Sequence, residues 1–348
     1  MRHWALNLAV PLVAAALTFA AIAHAQAHQL DYETRPRAAC SPAPTDATVG
    51  YYGAITTGPA GDLFVAESRA QCVVRIDGAG VGHYAVGGGD RPGCPACGAR
   101  IGFPTDVEVT PDGTVHVIDQ AHYQMVGVRP DGTTTIERGA QRSAQVQALS
   151  QGRDGRLYAG DYEFVSRLDQ AGWVVVAGGG RGELQLGAAL PATTVRLGQI
   201  TSLAVGPDNS LYIVERPLYR VLRVDPSGML TVFAGTGLEG DSGDGGPATG
   251  ANIYPDGVAV DDAGNVYISS QLHHRVRRVD KAGTITNFAG QPGTLPYGSG
   301  YGDGRPATEA LLRFPTDMAW RDGNLYILDS YRVRKVDRSG IMTTVAGG

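Results

Sequence analysis

The sequence predicts an all-β fold, a six-bladed β-propeller of four-stranded antiparallel blades. Three observations carry this. One pattern recurs six times between residues 54 and 347. Each copy holds four short apolar-alternating runs divided by Asp-Gly, Ala-Gly or Ser-Gly turns, the residues that supply positive φ in tight hairpins. Glycine makes up 49 of the 348 residues, about twice its ordinary share. A lone four-stranded sheet has two apolar faces and cannot bury both. Packing each sheet between two neighbours in a ring buries them all.

The copies follow in order. Residues 54–87 read AITTGPAGDLFVAESRAQCVVRIDGAGVGHYAVG, and 106–139 read DVEVTPDGTVHVIDQAHYQMVGVRPDGTTTIERG. The third, 148–178, is ALSQGRDGRLYAGDYEFVSRLDQAGWVVVAG. The later copies are cleaner: SLAVGPDNSLYIVERPLYRVLRVDPSGMLTVFAG at 202–235, GVAVDDAGNVYISSQLHHRVRRVDKAGTITNFAG at 257–290 and DMAWRDGNLYILDSYRVRKVDRSGIMTTVAG at 317–347. Pairs such as Val258/Val260 and Val266/Ile268 give the period of two expected of strands.

GNVYISS, HHRVRRVDKAGTI and TNFAG resemble the NHL repeat, and the linker GTGLEGDSGDGGPATGANIYPDGVAV is similar to those of bacterial secreted NHL proteins. GYGDGRPATEALLRFPTDMAW, at 300–320, shows the same likeness. The resemblance covers residues 50–348 and implies a propeller. Its functions are varied, so activity has to be argued from the site.

The N-terminus reads as a signal peptide, residues 1–25: Arg2-His3, then an uncharged run from Ala5 to Ile22, then Ala23-His24-Ala25 with cleavage after Ala25. A Pro-, Ala- and Thr-rich arm, 26–50, precedes the propeller at 51–348. The expected location is secreted or periplasmic, with no transmembrane segment in the mature chain. That setting permits disulfides among Cys40, Cys72, Cys94 and Cys97. Four cysteines allow three pairings; the expectation is Cys40–Cys72 and Cys94–Cys97. The CxxC at 94–97 has no following His for haem attachment.

The formal charge is −5, which argues against nucleic acid, since phosphate binding needs a basic surface. In a propeller the turn after the second strand and the linker entering the next blade share one face. The long linkers 88–104, 179–199, 236–255 and 291–315 therefore make that face the candidate surface for a protein, peptide or glycan partner. Three linkers carry Pro-Ala-Thr (Pro191, Pro247 and Pro306 leading), with Pro suited to a first helical turn and Ala310 and Leu311 plugging between blades. Asp241 and Asp244 before the second are read as acceptors for local backbone N–H groups rather than calcium ligands.

At the end of the second strand stand Glu67, Asp119, Asp161, Glu215 and Asp329, with Ser270 in the fifth copy. Arg220, Arg275 and Arg332 recur a few residues later, which predicts an acid–Arg bond fixing the turn. Cys72 and Gln124 take the Arg position in the first two copies, so Glu67 and Asp119 are expected to be open to a ligand. Asp106, Glu108 and Asp317 lie on innermost strands and could line a channel. His122 and His273 occupy equivalent positions in opposite blades, too far apart to share an ion. No cofactor is expected; calcium or zinc are the alternatives. The competing function is a metal-dependent lyase or lactone hydrolase with its ion in the channel, which would need about three convergent ligands.

Overall fold

The computed structural model describes residues 53–87, 96–137, 146–292 and 301–347. The leader and arm boundaries, Cys40 and Cys94 lie outside the described residues.

Six antiparallel sheets form the ring. Blade one comprises Ile55–Thr57, Leu63–Glu67, Cys72–Ile76 and Gly82–Gly87. Blade two comprises Pro104–Val109, Val115–Asp119, Gln124–Val128 and Thr134–Glu137. Blade three is Ala148–Gln151, Leu157–Gly160, Phe164–Asp169 and Gly172–Gly178, and blade four Ser202–Val205, Leu211–Glu215, Arg220–Val224 and Met229–Ala234. Blade five is Val258–Val260, Val266–Ser270, Arg275–Val279 and Ile285–Ala289, and blade six Pro315–Arg321, Asn324–Asp329, Arg332–Val336 and Met342–Ala346. In each blade the strands lie side by side in chain order, the first innermost.

The core is divided among the blade interfaces. Ala66, Val73, Val107 and Val117 pack between blades one and two, Ile118, Met125, Leu149 and Leu157 between two and three. Ile55, Leu63 and Val65 meet Leu328, Val333 and Ala346 of blade six. Side-chain packing between the first and last blades therefore closes the ring. Second strands are buried along their length, as in Leu63–Glu67 and Val266–Ser270, because a neighbour covers each face.

The glycine that ends most copies has a specific reason. Gly235, Gly290 and Gly347 have positive φ, and an added Cβ would sit 2.0–2.3 Å from the carbonyl oxygens of Tyr219, His274 and Tyr331 respectively. The outer strand turns away there against the backbone entering the third strand, and only glycine fits.

Two linker features go beyond the sequence reading. Ala189–Pro191 forms a fifth strand on the outer edge of blade four. Bridges Pro247–Thr284 and Pro306–Ile341 make the same contact in blades five and six. The linkers thus cover edges that would otherwise template aggregation. Each Pro leads into a short 3-10 turn that buries Ala192, Ala248 or Ala307. Ala310 and Leu312, rather than Leu311, are the buried plugs.

The linker carboxylates correct a second expectation. Asp241 and Asp244 do not cap local backbone; they pair with arginines of the third strand. Arg275 reaches Asp241 at 2.6 Å and Asp244 at 2.6 Å, and Arg277 reaches Asp244 at 2.9 Å. In blade six Arg334 holds Asp303 at 2.7 Å. All three arginines are buried. Blade four replaces this pair with Leu222 and Ala188, which pack in its apolar core.

Candidate functional site

Strand direction puts the turns after the second strand on the same face as the long linkers. The inner strands descend from that face along the channel. Aligning them exposes an alternation. At the first position blades two, four and six carry Asp106, Ser202 and Asp317, whereas blades one, three and five carry Ala54, Ala148 and Gly257. Each polar side chain accepts a backbone N–H from the next blade: Leu149 to Asp106 at 2.6 Å, Val258 to Ser202 at 3.1 Å, Ile55 to Asp317 at 2.8 Å. These bonds latch blades two to three, four to five and six to one, while the Thr56–Glu108 and Ser269–Thr316 bonds latch one to two and five to six.

The channel candidates Asp106, Glu108 and Asp317 are thus structural acceptors. Asp106 also takes the Val107 N–H at 2.7 Å, and Glu108 takes Thr56 Oγ1 at 2.9 Å and the Val109 N–H at 3.0 Å. Withdrawal from water and the charge of Asp317 hold the Asp106 carboxyl well above its ordinary value. Burial pushes Glu108 up to about 7 and Asp317 to about 6. Burial disfavours the charged form of each.

Three of the acids that end the second strands serve the incoming linker, whereas Asp161 accepts Glu163 N–H and Phe164 N–H of its own turn, both at 2.9 Å. Asp119 accepts Gly102 N–H and Phe103 N–H, both at 3.0 Å, and holds His122 Nδ1 at 2.5 Å. Asp329 accepts Arg313 N–H and Phe314 N–H at 2.7 and 2.8 Å. Glu215 accepts Gly198 N–H at 2.5 Å. The expectation that Glu67 and Asp119 stand open to a ligand is therefore corrected: both are buried and engaged. The expected acid–Arg bond forms in blade four, Glu215 with Arg220 at 2.6 Å. Arg275 turns instead to the linker, and in blade six Asp329 meets Arg334 at 3.8 Å while Arg332 lies 3.7 Å from the Tyr301 ring centre. In blade five Ser270 pairs with His273 at 2.9 Å. Sequence reasoning missed the backbone partners because they lie in linkers 15–17 residues upstream of each acid.

A cluster of which the sequence reading singled out only His273 sits at the channel mouth between blades four and five. Buried Asp256 precedes the inner strand of blade five. It accepts Arg216 Nη1 at 3.1 Å, Gln271 N–H at 2.8 Å and Gln271 Nε2 at 2.9 Å. Burial raises its carboxyl to about 6. Beside it, Tyr254 lies 5.9 Å from Tyr219 and 6.4 Å from His273, ring centre to ring centre. Tyr219 donates its hydroxyl to Glu239 at 3.0 Å. Around the same face Tyr123, Tyr162, Leu218, Leu238, Leu272 and Tyr331 are exposed. The signal was present as ERPLYR and SQLHHR, whose turn residues depart from the plain repeat.

Among the described residues, no three His, Cys, Asp or Glu side chains are grouped to hold a metal. His116 is buried, 3.3 Å from Glu137. Neither Cys72 nor Cys97 is a free cysteine; the expected pairings each involve a residue outside the described set. No described helix is long and apolar enough to cross a membrane.

No family model matches the chain. It is similar to Teneurin-1 of Gallus gallus, 29% identical over 218 residues, which is 58% of this chain and 8% of that protein. Teneurin-1 of Mus musculus gives 30% over 218 residues, again 58% and 8%. The chain thus spans less than a tenth of these curated relatives. Repeat and ring now decide the type. The chain is a six-bladed β-propeller whose repeats resemble the NHL type. Among solved structures, the propeller is similar to an auxiliary nutrient binding protein from Bacteroides ovatus, TM-score 0.60 at 18% identity, covering 85% of this chain and 70% of that one. A streptogramin B lyase gives 0.53 at 11%, covering 86% and 85%. A gluconolactonase from Xanthomonas campestris gives 0.54 at 14%, covering 89% and 99%. At these identities the propeller shares a fold with both binding proteins and enzymes.

Proposed function

We propose that this propeller is exported and acts as a binding scaffold, taking a protein, peptide or glycan on its long-loop face. The observation that carries the reading is the gathering of exposed Tyr and Leu side chains on that face, around a mouth whose polar groups are held rigid. Exposed aromatic side chains beside fixed polar groups are what recognition surfaces are made of. The lyase or lactonase reading would place an ion among Asp106, Glu108 and Asp317. Each of those already accepts backbone donors, so the geometry supports binding better. In the exported chain Cys40–Cys72 and Cys94–Cys97 remain the proposed disulfides, to be checked by non-reducing peptide mapping.

The test uses two charge-insertion variants of the full chain. Leu218→Glu/Leu272→Glu alters the long-loop face, and Ile136→Glu/Val174→Glu alters outer strands. Extracellular protein and polysaccharide retained on the immobilised propeller are compared. The expected result is loss with the first variant alone. Equal retention by both would overturn the reading.

A further inference from the structure

We propose that the mouth between blades four and five is a carbohydrate subsite that takes a neutral oligosaccharide. This deepens the binding reading above and rests on it. Two kinds of group meet there. Tyr219 and Tyr254 offer ring faces, tilted at 42° to one another with centres 5.9 Å apart, suited to the C–H faces of a pyranose. Beside them stand planar hydrogen-bonding groups: the Arg216 guanidinium, the Asp256 carboxylate, the Glu239 carboxylate and the His273 imidazole. Fixed planar donors and acceptors match neighbouring hydroxyls of a sugar, which donate and accept in pairs.

Arg216, Asp256 and His273 are pre-set by fixed partners. Asp256 is only 7% exposed and anchors Arg216 through one nitrogen. A guanidinium carries five N–H donors, and Arg216 stays partly open to solvent with a side-chain exposure of 37%. Ser270 holds His273 through Nδ1 at 2.9 Å, leaving the other ring nitrogen to a ligand. Burial lowers the pKa of His273, which disfavours the charged ring. Positioned polar groups of this kind lower the ordering cost of binding.

Charge and shape select among occupants. The Arg216 and Asp256 charges cancel, and Glu239 leaves the cluster net negative, which disfavours an acidic sugar. A peptide adding to a sheet needs an open edge, but linkers cover the outer edges of blades four, five and six. An apolar helix would take the remaining Arg216 donors out of water and supply no acceptor. A neutral polyol satisfies both the rings and the donors.

The experiment is calorimetric titration of the full chain with cellohexaose, xylohexaose, mannohexaose and chitohexaose, and with hexagalacturonate as the acidic comparison. Binding of at least one neutral hexamer is expected, and no comparable binding of hexagalacturonate. Tyr254→Ala should weaken it by about tenfold or more, in line with the loss of one stacking platform (about 1.4 kcal/mol per decade); Tyr254→Phe should retain it. A thermal melt checks that each variant is folded. Should all four neutral hexamers fail at millimolar concentration, or Tyr254→Ala bind as well as the parent, the proposal is overturned. If that happens while Leu218→Glu/Leu272→Glu still abolishes retention of a non-carbohydrate ligand, the face stands and only the sugar assignment falls. Loss of both removes the binding reading itself.

Discussion

Removing Asp244 and Arg277 together should cost far less than removing them separately. Arg277 is buried and donates to Asp244, to Asn252 O at 3.1 Å and to Ser242 O at 2.9 Å. Asp244→Ala leaves that guanidinium buried without its carboxylate, a loss of about 3–5 kcal/mol. Arg277→Leu leaves two carbonyls short of a donor and costs about 2 kcal/mol; Asp244 keeps Arg275 as partner. Simple addition gives about 6 kcal/mol. The double variant strands no cation and copies the Ala188/Leu222 solution of blade four, so about 2–3 kcal/mol is expected. The coupling is then about 3 kcal/mol, well outside additivity. Urea unfolding of the four proteins, followed by tryptophan fluorescence, reads it as a double-mutant cycle. Additive losses would refute the argument that the pair is retained because each member needs the other.

Three further outcomes follow from the same structure. Gly290→Ala forces a Cβ to 2.3 Å from the His274 carbonyl oxygen at positive φ, and should lower stability by at least about 2 kcal/mol in a thermal melt. Ser202→Ala removes the acceptor for the Val258 N–H; a loss of about 1–2 kcal/mol is expected, whereas no change would show that the latch carries no weight. The third concerns pH. Glu108 and Asp317 hold their protons to about 7 and about 6 when folded, against 4.5 and 3.8. The folded state therefore binds more protons, and the stability they contribute is full below the lower values and lost as pH rises through the upper ones. Glu108→Gln should flatten the fall in melting temperature between about pH 5 and 8, and an unchanged slope would count against the burial of that carboxyl.

The architecture was legible because period and turn chemistry are local. Four apolar runs with glycine turns determine a blade, and six copies leave a ring as the way to cover every face. The alternation of Asp106, Ser202 and Asp317 with Ala54, Ala148 and Gly257 was also visible in the aligned copies, although its meaning needed the neighbouring strand. What sequence reading missed is long-range. Asp244 looks like a turn residue, since nothing local marks Arg277, 33 positions on, as its partner. Asp119 looked open because two of its donors are backbone N–H groups, which carry no side-chain signature. The edge strand Ala189–Pro191 contains a proline and lacks alternation, so its pairing depends on the neighbouring outer strand.

The central claim is that ligand engages the long-loop face. Hydrogen–deuterium exchange on the propeller with and without its retained ligand tests this most directly. Protection is predicted at the turns 68–71, 120–123, 216–219 and 271–274 and in linker 236–255. Protection confined to the opposite turns, such as 59–62, 111–113 and 207–209, would contradict it.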